Sequence, residues 1–256
     1  WSADGKTLFV GGGFDDVVYR FEHAGGLLSG KTTLHGKGAD ATARAKVSDD
    51  FGLIRALRGS TPPKGCVAGL ALSGDGTTLW VADSYAHHLL ALDAKTGELR
   101  AEVDLGADTY PYGVLLDEGN DRIYVSLWGA AKVAIVDLSH PSEILGHYES
   151  QEHPNEMRTA HKGDYLFIAN ANRNTVTVID TQKGKAIETI GTAIAPDAPD
   201  GSTPNALALS ADEKLLFIAN ANTNDVAVVN VAEPGHSQPL GLIPVGWYPT
   251  CVRIAR

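Results

Sequence analysis

The chain has 256 residues, of which 43% are hydrophobic and 20% charged, the make-up of a globular protein with ample length for a core. Its 31 acidic residues against 21 basic ones leave a formal net charge of −10, which repels phosphate backbones and argues against a nucleic-acid partner. The longest apolar stretches are of strand length, so no segment is predicted to span a membrane.

Taken in chain order, the sequence repeats one pattern. Leu8-Phe9-Val10, Leu79-Trp80-Val81, Ile123-Tyr124-Val125, Leu166-Phe167-Ile168 and Leu216-Phe217-Ile218 are each followed, at one fixed distance, by Glu22, Asp93, Asp137, Asp180 or Asn230. Before each run lies a turn signal such as Ser73-Gly-Asp-Gly76 or Ser210-Ala-Asp-Glu213. Asp, Asn and Gly tolerate the positive φ of tight turns, so these are predicted hairpins. A strand of small or aliphatic residues precedes each turn. Pro111, Pro154 and Pro204 open three of these strands, a position where the missing N–H breaks no ladder bond. Behind each shared run comes a β-branched strand, as in Thr175–Ile179, and then a weaker one, as in Leu99–Val103, Ala186–Ile190 and Leu240–Ile243. Four short strands per copy predict an all-β chain of β-propeller blades, with about five repeats in one domain over residues 1–256.

The first unit lacks its innermost strand, and Pro249–Ala255 reads as such a strand with no blade behind it. Either that strand closes a five-bladed ring or the chain is a slice of a larger one. The chain opens on Trp1, without a methionine or signal peptide, and is expected to be a processed or cut product. The stretch 36–63 breaks the rhythm and reads as a long inter-blade loop, a candidate contact for a protein partner. Cys66 and Cys251 lie near the starts of predicted innermost strands and are expected to be small buried residues.

Leu166-Phe-Ile-Ala-Asn-Ala-Asn172 with Thr175-Val-Thr-Val-Ile-Asp180, and Leu216-Phe-Ile-Ala-Asn-Ala-Asn222 with Asp225-Val-Ala-Val-Val-Asn230, resemble the YVTN (YncE-like) β-propeller repeat. Val18-Tyr-Arg-Phe21, Tyr110-Pro-Tyr-Gly113 and Gly246-Trp-Tyr-Pro-Thr250 are similar to the propeller half of proteins in which such a propeller precedes an alkaline-phosphatase-type phosphoesterase domain. That resemblance implies a seven-bladed ring, a periplasmic or extracellular location and a phosphoesterase domain outside this sequence.

In a propeller the entry to each first strand and the turn between the second and third strands share one face, where loops converge on a central funnel. The candidates there are Tyr110, Tyr112, His153, Asn155, Asn205, Trp247 and Tyr248, with Asp83, Trp128, Asn170, Asn172, Asn220 and Asn222 from the second set of loops. The Asn-x-Asn turns read chiefly as caps of backbone groups. Innermost strands carry small residues at two positions, as at Ala206 and Ala208, but the fourth has Glu156 and Arg158, and the terminal one has Arg253. These three either anchor a polar ligand or form a structural ion pair, Glu156 with Arg158 or with Arg253. His87-His88, His153 with His161, Asp15-Asp16 and Asp197 with Asp200 lack metal-ligand spacing, and no cofactor motif or catalytic constellation is read. The leading expectation is a noncatalytic module that binds a small ligand or protein at the funnel. The alternatives are a lactonase-like propeller hydrolase and a protein-interaction ring.

Overall fold

The computed structural model describes residues 1–35, 65–193, 195 and 198–255. The segment 36–63 lies outside them. The chain forms two compact units. One is Trp1–Val114 with Pro141–Glu143, and the other is Leu115–His140 with Ile144–Arg256.

In the first unit, β1 (Thr7–Gly11), β2 (Val17–Ala24) and β3 (Leu27–His35) make a three-stranded antiparallel sheet. The strands β4 (Val67–Leu72), β5 (Thr78–Asp83), β6 (His88–Asp93) and β7 (Leu99–Asp104) make a four-stranded one in sequence order. Val18 and Leu34 of the first sheet pack on Val67, Leu79, Val81, Leu90 and Leu92 of the second.

Strand β8 (Pro111–Asp117) begins in the first unit and edges a sheet with β9 (Arg122–Leu127), β10 (Lys132–Asp137) and β11 (Ile144–Glu149). Two further sheets complete the second unit. One is β12 (Pro154–Ala160), β13 (Tyr165–Asn170), β14 (Thr175–Asp180) and β15 (Lys185–Gly191). The other is β16 (Pro204–Leu209), β17 (Leu215–Asn220), β18 (Asp225–Asn230) and β19 (Gln238–Pro244). Within the second unit the β12–β15 sheet lies between the other two, so its inner strands are buried on both faces. Leu166, Phe167 and Ile168 are all fully buried although they are consecutive. Phe167 and Val178 pack on Leu207, Leu216 and Ile218, while Leu166 and Ile168 pack the opposite way, on Tyr124 and Tyr148.

The hairpins follow from their side chains. The Asp75 carboxylate accepts the Thr77 N–H at 2.9 Å and the Ser73 hydroxyl accepts the Thr78 N–H at 3.0 Å. Gly76 supplies a φ of +73°. Ser2 with Asp4, and Ser210 with Asp212, wire their turns the same way.

Two expectations need correction. Residues 249–255 form no strand, because no described strand offers them a ladder of hydrogen bonds. Cys251, on that segment, is therefore exposed, and Cys66 is only half-buried. Neither cysteine is in a disulfide.

Candidate functional site

Four residues that directly precede a proline, three of them at a strand entry, share an unusual backbone. Tyr110, His153, Thr203 and Tyr248 have φ of +46°, +56°, +55° and +59°. Left-handed backbone is unfavourable for residues with a Cβ and disfavoured before proline, so neighbouring bonds must hold it. They do so in two successive sheets of the second unit. The Ala171 N–H donates to the His153 carbonyl, and the Ala221 N–H to the Thr203 carbonyl, both at 2.9 Å. A register shift after Pro154 in β12 and after Pro204 in β16 marks a bulge at each entry, the device by which a strand re-aims its side chains.

The loop asparagines build this frame. Asn170 is fully buried. Its amide donates to the Thr175 and Thr177 hydroxyls at 3.1 and 3.0 Å and accepts the Gln151 N–H at 3.2 Å. Asn220 donates to the Thr192 carbonyl and the Asp225 carboxylate at 3.0 and 2.8 Å. Asn172 reaches Glu152 and Asn222 reaches Thr203. In the first unit the Asp83 carboxylate accepts the N–H groups of Cys66 and Ala86, each at 3.1 Å. These side chains tie each turn to the strand entering beside it.

Two groups stand apart from the frame. In the first, the Glu156 carboxylate pairs with Arg158, lies 3.4 Å from the Arg253 guanidinium and accepts the Leu207 N–H at 3.0 Å. Both ion pairs weighed from the sequence are thus present, on one carboxylate. Glu156 and Arg158 are partly buried, with side-chain exposures of 23% and 28%, and Arg253 is mostly exposed. Beside Glu156 in sequence, Asn155 is 4% exposed and donates to the Asn205 amide oxygen at 2.7 Å. Its own Oδ1 is buried without a partner. An orphaned buried acceptor costs about 1–3 kcal/mol, so a water or ligand hydroxyl there is favoured.

In the second group, the His153 ring stacks on Trp128 with centroids 3.6 Å apart and planes 10° from parallel. Burial pushes the His153 pKa below 6.5, partly opposed by the Glu152 charge. The imidazole is therefore neutral at pH 7, with one ring nitrogen free to accept a proton.

The other candidates lie elsewhere. Tyr110 and Tyr112 belong to the first unit, where Tyr110 packs edge-on against Tyr85 and His87 and donates its N–H to His87 Nδ1 at 3.4 Å. Burial lowers the His87 pKa too. Tyr112 is exposed, and its carbonyl lies so close to Gly69 that any side chain at that position would collide. Trp247 is 88% exposed and meets Tyr248, whose N–H is held by the Asn224 amide at 2.8 Å. Among the described residues, no group of three or more His, Cys, Asp or Glu is placed to hold a metal ion.

A cavity of about 910 Å³ in the second unit, lined in part by Gln151, Glu152, Arg173, Asn174 and Thr175, includes none of the residues singled out as site candidates. Asn174 and Asn224 occupy one repeat position, immediately before the third strand, and that recurrence was the available signal for this corner.

The family model described as Lactonase, 7-bladed beta-propeller matches residues 107–254. Among solved structures, the periplasmic gluconolactonase PpgL of Pseudomonas aeruginosa superposes with a TM-score of 0.74 at 17% identity, over 96% of this chain and 69% of that one. A putative 6-phosphogluconolactonase from Bacteroides uniformis gives 0.74 at 16% identity, over 98% and 72%. A protein from Lactobacillus plantarum gives 0.76 at 15% identity, over 98% and 72%. No curated protein sequence matches. The likeness to these structures is one of fold, and the fold is a β-propeller with antiparallel blades. These comparisons do not carry the narrower resemblance to YncE-like repeats, or to propellers joined to a phosphoesterase domain.

Proposed function

The chain belongs to the lactonase family of seven-bladed β-propellers, and from that premise we propose that it hydrolyses a lactone ring at the entry end of β12 and β16. Family membership favours the hydrolase alternative over the noncatalytic docking module. The observation that carries the site is the buried Asn155 Oδ1, which lacks a partner beside a strand opening rich in charge.

In this reading a water hydrogen-bonds to Asn155 Oδ1. Neutral His153 takes its proton as the water oxygen attacks the lactone carbonyl carbon. Negative charge then develops on the carbonyl oxygen, where the guanidinium of Arg158 or Arg253 stabilises it. Glu156 holds both cations in place. Collapse breaks the ring C–O bond, and the imidazolium returns the proton to the departing oxygen, giving a hydroxy acid. Water is added across the ester with no net change at the protein.

The fold likeness to a periplasmic gluconolactonase supports glucono-δ-lactone as the first substrate to try and the periplasm as the compartment. The test is hydrolysis by the full chain, followed by acid release against the spontaneous background. Wild type is expected to accelerate ring opening. His153→Ala and Asn155→Leu are each expected to lose about 100-fold or more of that acceleration, with circular dichroism showing that they fold. Equal rates with and without protein, or unimpaired folded variants, would refute the reading.

A further inference from the structure

The cavity of about 910 Å³ in the second unit shares no residue with the strand opening assigned to hydrolysis. Its size falls within the roughly 300–1,000 Å³ of small-molecule sites. Side-chain bonds hold part of its wall. Asn174 Nδ2 donates to the Pro199 carbonyl at 2.8 Å, and Asn174 Oδ1 accepts the N–H groups of Gly201 and Ser202 at 2.9 and 2.8 Å. One side chain thereby clamps the segment that forms one wall to the turn between β13 and β14. The Arg173 guanidinium spans the same gap, to Asp200 at 2.7 Å and to Glu152 at 3.0 Å.

The charges select the ligand. One guanidinium faces two carboxylates, so the lining is net negative and its cation is already engaged. A phosphate or carboxylate ligand would meet repulsion and find no spare cation. A cationic ligand would have to displace Arg173 from its carboxylates. The remaining polar lining is neutral, with the Ser150 hydroxyl, the Gln151 amide and the Thr175 hydroxyl, which donates to Gln151 Oε1. Groups that both donate and accept match hydroxyls. Gly191, Ala193 and Ala198 keep the remaining wall small and apolar, which suits the C–H faces between hydroxyls.

We propose that this cavity is a second binding site, separate from the hydrolytic one, for a small uncharged polyhydroxy compound held by Gln151, Thr175 and the Arg173 bridge. Three probes share one ring and differ in charge: neutral D-glucose, anionic D-glucuronate and cationic D-glucosamine. Each is titrated into the full chain while backbone amide shifts are followed by NMR. Saturable shifts at Ser150, Thr175 and Ala193 are expected with glucose, with at least tenfold weaker binding of glucuronate and of glucosamine. Ala193→Trp, which fills the cavity, is expected to weaken glucose binding at least tenfold while lactone hydrolysis continues at the wild-type rate. Absence of saturable shifts at these residues, glucuronate or glucosamine binding as tightly as glucose, or full glucose affinity in Ala193→Trp would overturn the proposal. The charge comparison on wild type decides the matter even if the filled variant does not fold. Loss of hydrolysis in His153→Ala with these shifts intact bears on the catalytic site alone.

Discussion

The fourth blade (β12–β15) and the fifth (β16–β19) are near copies in backbone and opposites along one strand. Both open on a left-handed residue followed by Pro-Asn, His153-Pro154-Asn155 and Thr203-Pro204-Asn205. Both bulge just after that proline, and both bury an asparagine opposite it, Asn170 and Asn220. Ionisable side chains separate them at three positions of this stretch. His153, Glu156 and Arg158 stand where the fifth blade has Thr203, Ala206 and Ala208, and the two alanines are buried. The features held in common are what the scaffold needs. The differences cannot be scaffold requirements, because the fifth blade forms the same bulge and ladder without them. The imidazole and the charged pair are therefore where an activity of this chain has to be sought.

Converting one blade toward the other tests that division. The largest effect is expected from His153→Thr, which copies the fifth blade. It removes the general base and is expected to lower kcat/KM for the lactone by about 10²–10⁴-fold, while thermal unfolding shows an intact fold. Next comes Phe167→Ala. Phe167 is fully buried, whereas its counterpart Phe217 is only partly so. Chemical denaturation is expected to show a loss of about 3–5 kcal/mol at Phe167 and a clearly smaller loss for Phe217→Ala; equal losses would mean that the two blades are packed alike. Glu156→Ala leaves a partly buried guanidinium unpaired and is expected to cost about 1–2 kcal/mol, the partial exposure discounting the full buried-pair penalty. The double change Glu156→Ala with Arg158→Ala restores the fifth-blade pattern and should recover most of that stability but no activity. The smallest effect on activity comes from Asn170→Ala and Asn220→Ala, each expected to cost about 1–3 kcal/mol of stability and to leave kcat nearly unchanged. A large kcat effect at either would place the frame within the chemistry.

Much of this was legible in the sequence because it is periodic. The recurring Leu-Phe-Ile runs and Ser-x-Asp turns announce strands and hairpins before any coordinates, since they satisfy local demands. The prolines at 111, 154 and 204 marked the strand entries, and Glu156 and Arg158 stood out because they break a periodic rule. Whatever depends on a neighbour was hidden. Pro249–Ala255 reads as an innermost strand, yet a strand needs a partner and the segment has none among the described residues. The Glu156–Arg253 contact is the exception: it joins residues far apart in sequence, yet both break the small-residue rule of the innermost strand and so could be paired in advance. The cavity spanned by Arg173 arises where five separate stretches of chain meet, so only the recurrence of Asn174 and Asn224 hinted at it. The unpartnered Oδ1 of Asn155 is a property of three-dimensional packing and leaves no trace in residue order.

The most direct test of the central claim is kcat/KM for lactone opening by the full chain, measured against pH on both sides of 6.5 and compared with His153→Thr. The His153 pKa is lowered by burial, so the imidazole stays neutral and competent above 6.5 and is lost as pH falls through its lowered value. The expected result is acceleration over the spontaneous reaction, with an acid limb whose midpoint lies below 6.5 and which disappears in the variant along with the acceleration. A rate no faster than the background, or an acid limb that persists at full rate without His153, would contradict the account.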